Sequence, residues 1–125
     1  VHDAVHAAEA ETGLQFCVYL GPAPGNMREL AERLFAGAES EGQRPAVLIA
    51  VGTAERKVEI LTAEWAQARV PDAACAEAIE MMRPSLVEGA YDAALVVAVG
   101  HLASVAGNGT PQAGGVELPD LFDDR

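Results

Sequence analysis

Residues 45–62, PAVLIAVGTAERKVEILT, constrain the fold more than any other stretch of the chain. Residues 46–51 form an unbroken apolar run without alternation, the pattern of a strand covered on both faces. Residues 52–56, GTAER, supply a polar turn. Lys57–Thr62 then alternates polar and apolar, as a half-covered or edge strand does. Such a hairpin, with a strand and helix before it and two helices after it, predicts a small α/β domain.

The segments around the hairpin fill in that plan. Residues 2–11 read as a short Ala-rich helix that stops at Thr12-Gly13, where glycine can adopt the left-handed cap. Residues 14–20, LQFCVYL, are apolar nearly throughout and predict a buried central strand. The loop GPAPGN follows, and Asn26 is the expected N-cap of a helix. That helix places Met27, Leu30, Ala31, Leu34, Phe35 and Ala38 at i, i+3, i+4, i+7 spacing, one face against a sheet. Its outer face offers Arg28 with Glu32 and Glu29 with Arg33, each pair four residues apart. A strand, a crossover helix and a strand predict that residues 14–20 and 46–51 run parallel.

After the hairpin, residues 63–70 are ambiguous in pattern, with room for a turn plus a short fourth strand. Asp72 is the expected cap of a helix presenting Cys75, Ile79, Met82 and Leu86 to the core, and Pro84 should kink or end it near Arg83. Gly89 separates it from a last helix over 91–106, whose wide apolar stripe includes Tyr91, Leu95, Val99 and Val105, broadened by Val96 and Val97. The chain therefore divides into a domain over 1–106 and an acidic tail over 107–125.

Composition narrows the function classes. The chain has 125 residues, half of them hydrophobic, enough for one core without a disulfide or metal. Eight basic against 19 acidic residues give a formal charge of −11. That balance disfavours nucleic acid and anionic membrane as partners. It suits a cation site, a basic partner or simple solubility. Cys17 and Cys75 are not spaced as a framework, a redox pair or a nucleophile site, and read as reduced, buried hydrophobes of a cytoplasmic protein. The longest apolar run, residues 93–99, is too short to span a bilayer. Because the chain opens at Val1 and not at methionine, a removed targeting or anchor segment stays open.

Taken together, several local patterns resemble a known family. The helix ending in Thr-Gly, the strand LQFCVYL, the helix RELAERLF and the hairpin PAVLIAVGTAERKVEIL come first. VPD opening a helix and RPSLVEGAYDAALVVAVGHLA complete the set. They resemble a TPM domain, and more narrowly the actinobacterial DUF5130 proteins, over residues 1–106. The resemblance implies a three-layer α/β/α fold around a small mixed sheet: two parallel strands plus a hairpin partner, with room for a short fourth strand. For some TPM members it implies divalent-cation binding or a modest phosphatase activity, and for the DUF5130 group no established activity. A Gly-x-Gly-Leu-Glu stretch common in TPM members is matched here by Ala63, Glu64, Trp65, Ala66 and Gln67. Two glycines and a carboxylate are thus replaced.

The candidate sites each carry two readings. The loop at Gly21, Gly25 and Asn26, with Gly52 and Thr53 beyond the neighbouring strand, lies where open α/β sheets bind ligands, and its helix N-terminus can hold an anion. The same loop lacks lysine and also reads as a proline-stiffened turn. Asp72 is a cap or a calcium or magnesium ligand. His2 and His6 are a possible ligand pair or a solvated helix face. His101 reads as a half-buried histidine hydrogen-bonded to the scaffold, and Trp65 as a binding aromatic or a lid on the core edge. The sequence expectation is a non-catalytic binding or interaction module with no cofactor. The alternatives are a divalent-cation-dependent phosphatase and a protein-binding role for the acidic tail.

Overall fold

The computed structural model describes residues 1–107. Four helices and three strands follow the chain in the order α1 (His2–Thr12), β1 (Gln15–Gly21), α2 (Met27–Ser40), β2 (Pro45–Gly52), β3 (Lys57–Thr62), α3 (Asp72–Val87) and α4 (Tyr91–Ala106). The sheet order is β1-β2-β3, with β1 parallel and β3 antiparallel to β2. Gly21 and Val58 pair opposite Gly52 and Val51 of β2, so the three strands end together around one loop cluster.

Every residue of β2 is buried. Its alternate residues serve two cores. Val47, Ile49 and Val51 join Phe16 and Ile60 beneath α1, α3 and α4. Leu48 and Ala50 join Leu61 and the Met27 and Ala31 face of α2. The period of two in the strand therefore builds an α/β/α sandwich with one helix on one face and three on the other.

The central-strand expectation for residues 14–20 needs correction: β1 is an edge strand, and β2 is the centre. An apolar run reports that both faces are covered by helices and says nothing about whether both edges are paired. Part of the exposed edge is closed locally, because the Phe16 N–H donates to Glu9 Oε2 on α1 at 3.0 Å. The room left for a short fourth strand is taken by a turn. Residues 64–66 form a 3₁₀ turn, and no further strand occurs among the described residues.

Helix boundaries follow local chemistry. Gly13 ends α1 at φ 75°, with its N–H returned to the Glu9 carbonyl, as expected for a left-handed cap. Asn26 caps α2 by accepting the Glu29 N–H at 3.0 Å. Of the two expected ion pairs on α2, Arg28–Glu32 forms at 3.3 Å, and Arg28 also reaches Glu59 of β3 at 2.8 Å. Glu29–Arg33 is not among the ion pairs of the described residues. Asp72 does not cap α3. It is the first helical residue, with Pro71 at the cap position and no side-chain capping bond. Pro84 does not end α3 either, and the helix runs on to Val87. Ala74 and Ala78 join Cys75 and Met82 on its buried face, while Ile79 and Leu86 are only half-buried. In α4, Val96 and Val105 face outward despite the apolar sequence around them. Among the described residues no helix is long and apolar enough to cross a membrane.

Candidate functional site

The carboxyl ends of β1 and β2 stop side by side at Gly21 and Gly52, and the loops beyond them diverge to either face of the sheet. On the α2 side the two loops are stitched together. The Thr53 N–H donates to the Gly21 carbonyl at 3.0 Å. The buried Ala23 N–H donates to Glu55 Oε1 at 2.8 Å. The Tyr19 hydroxyl donates to the Pro22 carbonyl at 2.6 Å. A Cβ at Gly52 would stand 3.1 Å from Ala23 Cβ, 3.2 Å from Glu55 Oε1 and 3.4 Å from Met27 Sδ, so a larger residue would push these loops apart by a few tenths of an ångström.

This places the sequence-derived anion residues in detail. Gly21, Gly52 and Thr53 come together, whereas Gly25 and Asn26 stand exposed at the start of α2. The Ala23 and Thr53 amides are engaged by protein oxygens, and Asn26 occupies the Glu29 N–H. Within this loop pair, a carboxylate of the chain sits where a bound anion would be held.

On the α3–α4 side the same strand ends open into a cleft of about 150 Å³. Val51 and Gly52 form its floor, and Leu86, Val87 and Tyr91 its apolar wall. Arg56, Lys57 and Arg83 line it as well. The turn between β2 and β3 thus sends Glu55 to one face and Arg56 and Lys57 to the other. Arg56 adopts φ 57°, in the left-handed region that favours glycine. The Tyr91 hydroxyl donates to the Thr53 carbonyl over 3.4 Å, a long bond that joins α4 to the turn. Arg83 donates to both carboxylate oxygens of Glu80, at 3.3 and 2.7 Å, and these bonds hold the Glu80 carboxyl below its usual range.

Sequence reasoning singled out none of the three cations. Arg56-Lys57 is the one adjacent basic pair in an acidic chain, which was a readable signal. Arg83 joins them only through the packing of α3 over the sheet.

The remaining candidates lie apart. Asp72 is exposed on the first turn of α3, and no group of three or more His, Cys, Asp or Glu side chains placed to hold a metal occurs among the described residues. A calcium ion takes six to eight oxygens, and among the described residues Asp72 has no cluster of acidic side chains around it to supply them. His2 and His6 stack edge to face at 4.4 Å on the exposed side of α1. His101 is half-buried and bonds Glu77 at 3.1 Å, matching its scaffold reading. Trp65 is 43% exposed and lies under the Arg44 guanidinium at 3.9 Å. Cys17 and Cys75 are both free thiols, and burial pushes each up from the ordinary thiol range. The acidic-tail expectation falls on residues outside those described.

Known proteins share this architecture. The BA42 protein of the psychrophilic bacterium Bizionia argentinensis is 18% identical, with 83% of this chain and 74% of that one aligned at a TM-score of 0.72. The N-terminal domain of a P. gingivalis protein is also 18% identical, with 82% and 69% aligned at a TM-score of 0.70. At such identity the likeness concerns the fold. No curated protein matches the sequence. The family model described as the TPM domain matches residues 1–105, and with that span covering nearly all of the described fold, the chain belongs to the TPM domain family.

Proposed function

We propose that this TPM domain is a binding module that uses the cleft between the β2–β3 turn and the α3–α4 pair, and performs no chemistry of its own. One observation carries this reading: the cleft combines an apolar floor and wall with polar groups suited to holding a ligand. It lies beyond the carboxyl end of the central strand, where open α/β sheets receive ligands. Its side chains can desolvate and orient a small molecule or a partner's side chain, and they include no nucleophile set beside a base. Within the family we place the chain with the DUF5130 group, on the strength of the hairpin and last-helix patterns.

Amide NMR of the labelled protein with a panel of small organic probes tests the site. Shifts concentrated on Gly52, Lys57, Leu86 and Tyr91 are expected. Shifts confined to other surfaces would remove the cleft from consideration. A parallel assay with an aryl phosphate and millimolar calcium or magnesium should show no turnover above buffer. Turnover that disappears in Asp72→Asn would establish the phosphatase alternative instead.

A further inference from the structure

We infer that the ligand of this cleft is a small organic anion, a carboxylate or phosphate head carried on a short apolar body. The inference rests on the cleft being the binding site and adds the chemistry of its occupant. Three of the chain's eight basic residues line one cavity whose lining contains no Asp or Glu, although acids outnumber bases 19 to 8. A surface drawn without regard to charge would put carboxylates there first. The other cations among the described residues are mostly spoken for: Arg28 pairs with two glutamates, Arg44 covers Trp65, and Arg69 donates to the Ala106 and Gly107 carbonyls. Arg56 and Lys57 have no ion-pair partner within 4.0 Å among the described residues.

The backbone points the same way. Arg56 is the one non-glycine residue at positive φ among the described residues, a position where glycine would be unstrained. Strain of this kind persists where the side chain is needed. The turn also segregates its charges, since Glu55 is bonded to Ala23 on the opposite face and leaves the cleft to the cations. Arg83 retains donors beyond the two that Glu80 uses. Tyr91 also lines the cleft, and its hydroxyl bond to Thr53 is a long one that a ligand oxygen could replace. The head group would meet these donors, and its apolar part would cover Leu86 and Val87, the latter 69% exposed. A net charge of −11 repels anions at long range, so this ligand is held by short-range contacts inside the cleft.

The experiment is calorimetric and NMR titration of the whole chain with four probes: benzoate, phenyl phosphate, inorganic phosphate and neutral benzyl alcohol. Benzoate or phenyl phosphate should bind and shift the Gly52, Lys57 and Tyr91 amides, with the stronger of the two identifying the head group. Inorganic phosphate should bind more weakly for want of the apolar body. Lys57→Gln and Arg83→Gln should each weaken the better probe by about tenfold, the scale of one charge-assisted hydrogen bond. Arg56→Gly should weaken it similarly while leaving the melting temperature equal or higher, which a merely structural arginine would not do. Benzyl alcohol binding as well as benzoate at the same amides would overturn the anion inference and leave the binding-module reading intact. No cleft shifts from any probe would overturn both. Anion binding that persists unchanged in all three variants would place the site elsewhere and overturn the inference.

Discussion

Ala23 is fully buried and its N–H has Glu55 Oε1 as its acceptor, at 2.8 Å. Glu55→Ala strands that donor, at a cost of about 1–3 kcal/mol, whereas Glu55→Gln keeps an acceptor and costs less. Urea denaturation of both variants checks the ordering, and equal midpoints for Glu55→Ala and wild type would contradict it. Cys75 offers a second test. Burial raises its thiol above the ordinary range, partly offset by the contact with Thr62 at 3.4 Å. A raised folded value means that the unfolded chain ionises first as pH climbs through the ordinary thiol range. Stability therefore falls with pH across that window and is unaffected below it. Cys75 should react with a thiol reagent only as fast as the protein opens, and Cys75→Ala should flatten the alkaline decline. Cys75 was legible as a core-facing thiol from its helical spacing, whereas Glu55 did not declare its role. Glu55 looked like one polar turn residue among five, because the 32-residue separation from Ala23 is closed only by strand pairing. Asn26 was legible, since a cap bond spans three residues.

Elements were legible to the extent that their signals are local. The amphipathic period of α2, the Gly13 stop and the hairpin all rest on neighbours within a few positions, and all appear as expected. Signals that depend on partners are weaker: β1 lies at the sheet edge and not at its centre, and of the kink or stop expected at Pro84 the stop does not occur. Pro84 falls in the exposed last turn of α3, where a lost N–H to the Glu80 carbonyl is tolerable because few bonds remain to be broken beyond it. Pro84→Ala should therefore restore one helical bond. After the unfolded-state effect of proline is subtracted, the gain is about 1–2 kcal/mol, or several degrees in melting temperature. A lower melting temperature would show that the proline ring is packed. At the other end of α3, Asp72 makes no capping bond, and its charge lies on the first turn, where the helix dipole favours it. Asp72→Asn and Asp72→Ala should cost similar amounts, below about 1 kcal/mol. Millimolar calcium should not shift the melting temperature. A calcium-dependent rise abolished by Asp72→Asn would restore a cation site.

At the scale of the whole molecule, one strand holds both cores. Ile49 is completely buried in the layer beneath α1, α3 and α4, while its neighbours Leu48 and Ala50 face α2. The unbroken apolar run made this the most legible feature of the chain, and the two-faced burial of β2 follows from it. The cleft was not legible for the converse reason: its floor, wall and cations come from β2, the turn, the start of β3, α3 and α4, and only the assembled sandwich brings them to one place. The two regions should respond to charge in opposite ways. Ile49→Asp puts a carboxylate into apolar surroundings with no partner, at a cost of several kcal/mol against a typical total of about 5–15. It should unfold the domain or leave it barely stable, as read by loss of the cooperative thermal transition. Lys57→Glu, at the exposed rim of the cleft, should leave that transition within a few degrees of wild type, because surface charges contribute little to folding. A sharp, unshifted transition for Ile49→Asp would mean that β2 does not lie between two cores. A collapse of Lys57→Glu would mean that the cationic rim belongs to the scaffold and is not available to a ligand.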